Sequence, residues 1–294
     1  MSAVEARRKG RRRDLADVGL RSWAILVYVF LFLPILVIVV YSFNNGRAMI
    51  TWNGVGLNGY RTGLTDPTIQ DAVKTSIVAA AGTAVIATIL GSFAGIALAR
   101  RKGKWTILFL ALVFLILVTP EIVEAIALLL WYVRLGGPFG PHTPIPGISY
   151  GMVRLWVGHS LFATAVVTLI VRARLQGLDE TLEEAAADLY ATPARRFRQI
   201  TLPLMLPAVL AGALLAFSFS LDDTIISSFV SVAGASPWPV YVFSAVRNAL
   251  RPEVASVSTL LLTLTLIAIA SVALVLRRSG QSSKDVAKTM TVGG

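Results

Sequence analysis

Six apolar blocks, at residues 23–43, 75–99, 105–133, 151–171, 205–228 and 255–276, divide this 294-residue chain. The hydrocarbon core of a bilayer, about 30 Å thick, takes about 20 apolar residues of helix at 1.5 Å each. Each block meets that length, so the blocks predict an all-α membrane protein of six transmembrane helices. Only 15% of the residues are charged, and the mean hydropathy is +0.72. A soluble domain carries about 25% charged residues. The first block is too long for a signal-peptide core, and Tyr41-Ser42-Phe43-Asn44-Asn45 offers no small-residue cleavage site, so it reads as an uncleaved span.

The net charge of +11 resembles a nucleic-acid signal until the charges are placed. Of the 27 lysines and arginines, 20 fall in the N-terminal tail, the connection around residues 100–104, the connection at 172–204 and the C-terminal tail. All four lie on the same side of an even-numbered topology. The positive-inside rule puts that side, and both termini, in the cytoplasm. Topology and anionic lipid account for the basic surplus. The expected layout is a basic tail at 1–22, a six-span domain at 23–276 with a cytoplasmic loop at 172–204, and a tail at 277–294. The outer connections are 44–74, 134–150 and 229–254, and the ends, 1–20 and 279–294, read as disordered.

Several chemistries drop out. The chain has no cysteine, hence no disulfide, thiolate nucleophile or Cys-based zinc site. Its two histidines, His142 and His159, read as a loop residue and a packed polar group. Gly54-Val-Gly56-Leu-Asn-Gly59 matches a dinucleotide fingerprint but lies in an outer loop without the βαβ context that fingerprint needs. There is no phosphate loop and no nucleophile–base constellation, so no enzymatic activity is expected and any ATP and Mg²⁺ belong to a partner subunit. Gly91 and Gly95 sit four apart in the second block and predict close helix packing within the bundle.

The cytoplasmic loop is not an ordinary solvated connection. Thr181 with Glu184 has the spacing of a capping box, and Thr192-Pro193 reads as a second helix start. Ala185, Ala186 and Leu189 can share one face, a small-residue knob suited to a groove. Pro203 and Pro207 mark the return to the membrane. Glu184-Ala185-Ala186, Ala191, Ile200, Leu202 and Pro203 resemble the EAA loop of ABC-importer permeases, in which this elbow docks into a cleft of the cytoplasmic ATPase. Members of that family carry glycine where this chain has Tyr190. Non-glycine residues pay about 1–2 kcal/mol for a left-handed backbone, so either Tyr190 bears that cost or the turn is built differently.

The likeness covers nearly the whole chain. Tyr41-Ser-Phe-Asn44, Thr119-Pro120-Glu121-Ile-Val123, Ser220-Leu-Asp222-Asp223, Ser228-Phe-Val230 and the run from Val246 to Val254 resemble the spermidine/putrescine branch. That resemblance implies an inner-membrane permease subunit working with a second, related permease, cytoplasmic ATPase subunits and an extracytoplasmic polyamine-binding protein. Importers of sugar, phosphonate or ferric ion are the nearest alternatives, and a proton-coupled secondary transporter is a more distant one.

The residues themselves point the same way. Carboxylates inside a span are costly and are functional candidates by default. Glu121 and Glu124 fall on one helical face, and Asp222 and Asp223 are adjacent. Counted along unbroken helices, Glu121 and Asp222 both lie roughly 25 Å from the cytoplasmic side, a matched depth that suits an elongated polycation. Trp131, Phe217, Phe219 and Trp238 could add cation–π contacts along the path. Structural pairing of the carboxylates with Arg134, Arg154 or Arg247 is the competing reading.

Overall fold

The computed structural model describes residues 3–101, 103–134, 149–179, 181–248 and 250–278, so His142 and most of the 134–150 connection lie outside the described residues. In chain order the helices are α1 (Ala3–Tyr41), α2 (Asn58–Thr65), α3 (Pro67–Arg100), α4 (Lys104–Val118), α5 (Glu121–Arg134), α6 (Tyr150–Gln176), α7 (Thr181–Asp188), α8 (Pro193–Arg196), α9 (Leu202–Asp222), α10 (Ile225–Val230), α11 (Trp238–Asn248) and α12 (Pro252–Arg278). Among the described residues the only β pairings are isolated bridges. Five helical segments are long and apolar enough to cross a membrane, and a sixth span forms if α4 and α5 are taken together.

Two of the expected spans are broken. The block at 105–133 bends by 102° between α4 and α5. The cause is Pro120, which has no N–H to donate and drives the residue before it out of helical space. Thr119 accordingly takes φ −64°, ψ 128°, and both its N–H and its hydroxyl close back on the Leu115 carbonyl. The block at 205–228 stops at Asp222, and α10 starts three residues later. Asp223 (φ −59°, ψ 110°) makes that break, and its carboxylate accepts the Ser227 N–H at 3.2 Å. At the N-terminus, where disorder was expected, helix runs back to Ala3, as the helix-forming alanines, glutamate and arginines of that stretch favour.

The chain divides into two units. The first comprises residues 1–65 and 249–261. In it, α1 leaves every residue from Asp17 to Ile38 exposed, an apolar surface suited to lipid or to another subunit. The loop that follows is organised by Asn44, fully buried, whose side chain donates to the Thr51 and Ala48 carbonyls and accepts from the Gly46 and Asn53 amides. That gives a physical reason for the Tyr41–Asn44 motif: one amide side chain satisfies the backbone of a whole turn.

The second unit comprises residues 66–248 and 262–294. Asp66 caps α3 by accepting from Thr68 and Ile69, with Pro67 in the first turn. Helices α3, α6 and α9 pack together around Ala87, Ala163, Val167, Val171, Met205 and Ala216. A second cluster joins α5, α6 and α10 through Ala125, Leu128, Leu155, Ile226 and Val230. Small residues let the backbones approach, and Gly91 shows how closely. A Cβ there would stand 2.7 Å from Val167 Cβ and 3.0 Å from the Thr164 carbonyl oxygen, and one at Gly95 would stand 2.8 Å from the Thr168 oxygen. The pair is therefore a packing seam between α3 and α6, as expected. Gly91→Val is expected to destabilise the bundle by about 1–3 kcal/mol, seen as a lower unfolding midpoint of the detergent-solubilised protein.

Candidate functional site

The two helix breaks meet at one cavity. It measures about 490 Å³, and its wall holds all four expected carboxylates, Glu121, Glu124, Asp222 and Asp223. The depth count had assumed straight helices. The match survives because each pair sits at its break, Glu121 and Glu124 in the first turn of α5, Asp222 and Asp223 where α9 ends. The C-terminal ends of α4 and α9, whose last carbonyls have no partners within their own helices, come to the same place.

Among the described residues no lysine or arginine forms an ion pair with any of these four groups. Two of the three arginines that could have neutralised them, Arg154 and Arg247, are engaged elsewhere. The buried Arg154 guanidinium lies 4.5 Å from the centre of the Tyr132 ring, and that of Arg247 lies 4.5 Å from the centre of the Phe243 ring. The cavity wall thus gathers four acidic side chains without a basic partner among the described residues. Asp223 is the most constrained of the four: besides capping α10, it stands 3.9 Å from Nε2 of His159. His159 is buried and hydrogen-bonded by Nδ1 to Ser220 (2.6 Å) and by Nε2 to Ser227 (3.0 Å), so it ties α6 to both sides of the break in span five. The packed-polar reading fits this geometry, but sequence spacing gave no hint that His159 would border the carboxylates.

The aromatic candidates divide. Phe219 is in the cavity wall, its ring 5.5 Å from that of Phe162 in an edge-to-face pair. Phe217 is half-buried and does not line the cavity. Trp131 is half-buried too, stacked on Tyr132 and packed against the α5–α6–α10 cluster. Trp238 is buried, stacked on Tyr241, and its amide donates to Ser76 at 2.7 Å. Trp131 and Trp238 fill the protein's own packing, the usual fate of large rings in a bundle.

The cytoplasmic elbow has a different organisation. Thr181 is the first described residue of α7, and its N–H is accepted by Asp179, which holds the Asp179 carboxyl below its ordinary pKa. Asp179 therefore supplies the helix-start contact expected of Thr181. Helix α7 buries none of its residues. It ends in a tight Schellman turn, with the Ala191 N–H bonded to the Ala186 carbonyl and the Tyr190 N–H to that of Ala187. This turn requires a left-handed residue, and Tyr190 supplies it at φ 57°, the only non-glycine with positive φ among the described residues. The strain anticipated at Tyr190 is real. Tyr190→Gly is expected to relieve about 1–2 kcal/mol, measurable as slower amide exchange at residues 189–191.

At the tip, Leu189 is 82% and Tyr190 96% exposed. Glu184 and Ala185 also face outward, whereas Ala186 and Ala191 are half-buried on the protein side, so Ala186 does not share the outer face with Ala185 and Leu189. Thr192 and Pro193 begin the next helix, though the Thr192 hydroxyl caps nothing. That helix passes through a π-helical turn at Phe197–Thr201 and straight into α9, so Pro203, which has no N–H to donate, follows the point where the regular hydrogen-bond pattern has already shifted.

Residues 87–281 match the family model described as binding-protein-dependent transport system inner membrane component. The chain belongs to this family. It is 38% identical over 245 residues to the putrescine transport system permease protein PotI of Escherichia coli K12, covering 82% of this chain and 85% of that one. It is 34% identical over 258 residues to the spermidine/putrescine transport system permease protein PotC of Haemophilus influenzae, covering 88% and 96%. A chain of the bacterial alginate ABC transporter, solved in complex with an alginate pentasaccharide-bound periplasmic protein, superposes with a TM-score of 0.71 over 92% of this chain and 96% of that one, at 12% identity. That likeness is one of fold. The protein is thus a multi-pass inner-membrane permease of a binding-protein-dependent importer.

Proposed function

We propose that the cargo is a polyamine, putrescine or spermidine, and that the cavity between the two helix breaks is part of its path. The observation that carries this reading is the set of four carboxylates in one intramembrane cavity with no lysine or arginine paired to them among the described residues. An ammonium group entering there replaces lost hydration with carboxylate oxygens and helix-end carbonyls, and the faces of Phe162 and Phe219 offer cation–π contact along the alkyl chain. A phosphonate or molybdate would meet uncompensated like charge. A neutral sugar would leave the carboxylates unused. The polyamine names of the relatives support the same choice.

In this reading the exposed tip at Glu184, Ala185, Leu189 and Tyr190 docks into a cleft of a cytoplasmic ATPase, which binds ATP and Mg²⁺. Closure of two ATPase subunits pulls the elbow, and α9, continuous with it, carries the movement to the carboxylates at its far end. A second, related permease completes the pathway. A loaded extracytoplasmic binding protein docks on the outer loops, and both termini face the cytoplasm. The chain itself makes and breaks no covalent bond.

Proteoliposomes holding the full complex and its binding protein test the cargo. Labelled putrescine or spermidine is expected to enter only with ATP and binding protein present. Uptake of a sugar or an oxyanion in its place, or polyamine uptake driven by a proton gradient without ATP, would contradict the proposal.

A further inference from the structure

Helix α7 raises a mechanical question. It buries no residue fully, and its only half-buried apolar side chain is the methyl of Ala186, so apolar packing holds it weakly to the rest of the protein. A lever held only by its two chain connections would swivel when pulled and deliver little displacement. Its half-buried side chains are Ala186 and Glu183, the latter one residue before the Glu184-Ala185-Ala186 motif. One oxygen of the Glu183 carboxylate accepts from the Arg100 guanidinium, at the end of α3, and from the Thr201 hydroxyl at 2.6 Å, in the π-helical turn that leads into α9. A single carboxylate therefore joins α7 to two long spans at once.

The surroundings suit a charged tether. Burial pushes the Glu183 carboxyl up, but the hydrogen bonds from Arg100 and Thr201 and the charges of Arg100 and Arg196 outweigh it and hold the group below its ordinary pKa. The π turn contributes as well. It closes by an i to i−5 bond from the Leu202 N–H to the Phe197 carbonyl. Such turns recur at functional points inside helices, and here the turn contains the hydroxyl that meets Glu183.

The geometry points to Glu183 as a positioning residue for coupling: it fixes α7 to spans two and five, so that displacement of the elbow reaches the membrane helices together. Glu183 does not touch cargo, and it points away from the exposed tip. The inference rests on the elbow reading given above, and the test separates the two.

Wild type, Glu183→Gln, Arg100→Glu, the charge-swapped Arg100→Glu/Glu183→Arg double variant and Ala185→Arg are compared in proteoliposomes with the complete complex, reading ATPase attachment, ATP hydrolysis and labelled putrescine uptake per ATP. Glu183→Gln and Arg100→Glu are expected to keep the ATPase attached and hydrolysing while uptake per ATP falls at least fivefold. The double variant, in which the guanidinium introduced on α7 can also donate to the Thr201 hydroxyl, is expected to recover at least half of the wild-type ratio. Unchanged uptake per ATP in Glu183→Gln, or a double variant no better than the single ones, would overturn the tether. If Ala185→Arg uncouples while Glu183→Gln does not, the tether alone fails. If neither affects attachment or coupling, the elbow reading fails with it.

Discussion

Asp222→Asn is expected to lower kcat/KM for polyamine uptake by about 30- to 1000-fold, with the complex assembled and its ATPase still active. Asp222 is exposed in this chain; an ammonium that seals it from water makes a desolvated pair, and removing one partner of such a pair costs about 2–4 kcal/mol, where each 1.4 kcal/mol is about tenfold. Asp222 is the sharpest position for this test because, among the described residues, its carboxylate forms no ion pair and accepts only from its own backbone N–H. Glu121→Gln is expected to behave similarly. Asp223→Asn is expected to give a mixed result, since Asp223 also caps α10 and borders His159. Normal uptake in both Asp222→Asn and Glu121→Gln would remove the cation path from this cavity.

Ala185→Arg is expected to abolish coupled uptake, at least about 100-fold, by a different route. Ala185 is exposed on α7, so the substitution leaves the fold intact and acts only where something docks. Burying an unpaired guanidinium in a cleft shaped for a methyl group costs several kcal/mol, and about 3 kcal/mol already amounts to the stated factor. Hydrolysis is expected to lose its stimulation by loaded binding protein, while binding of that protein to the outer loops persists. The two variants therefore fail differently: Asp222→Asn hydrolyses without moving cargo, and Ala185→Arg loses the link itself.

Much of this was legible in the sequence because membrane insertion leaves a strong record. Apolar blocks of bilayer length marked the spans, and Gly91 and Gly95 announced their seam. The carboxylates stood out because hydrocarbon makes each one expensive. The bend at Pro120 was legible in principle, since proline inside a span ends a helix, but reading the block as a single span hid it. The break at Asp223 carries no proline or glycine signal; it shows only in three dimensions, where the aspartate becomes a cap. Trp131, Phe217 and Trp238 are absent from the cavity wall, and sequence alone does not separate a large ring that packs against helices from one that faces cargo. Glu183 was overlooked beside Glu184 because adjacent residues on a helix point about 100° apart, and sequence alone does not say which of them faces inward.

The most direct test of the central claim uses the absence of cysteine from the chain. Leu189→Cys places a single thiol at the 82%-exposed tip of the elbow. In the assembled complex this thiol is expected to be shielded from a bulky maleimide and to cross-link to a cysteine placed in the ATPase cleft, with a yield that changes when ATP is added. If the ATPase is bound and active while the thiol at position 189 stays freely reactive and forms no cross-link, the elbow is not where force enters this protein.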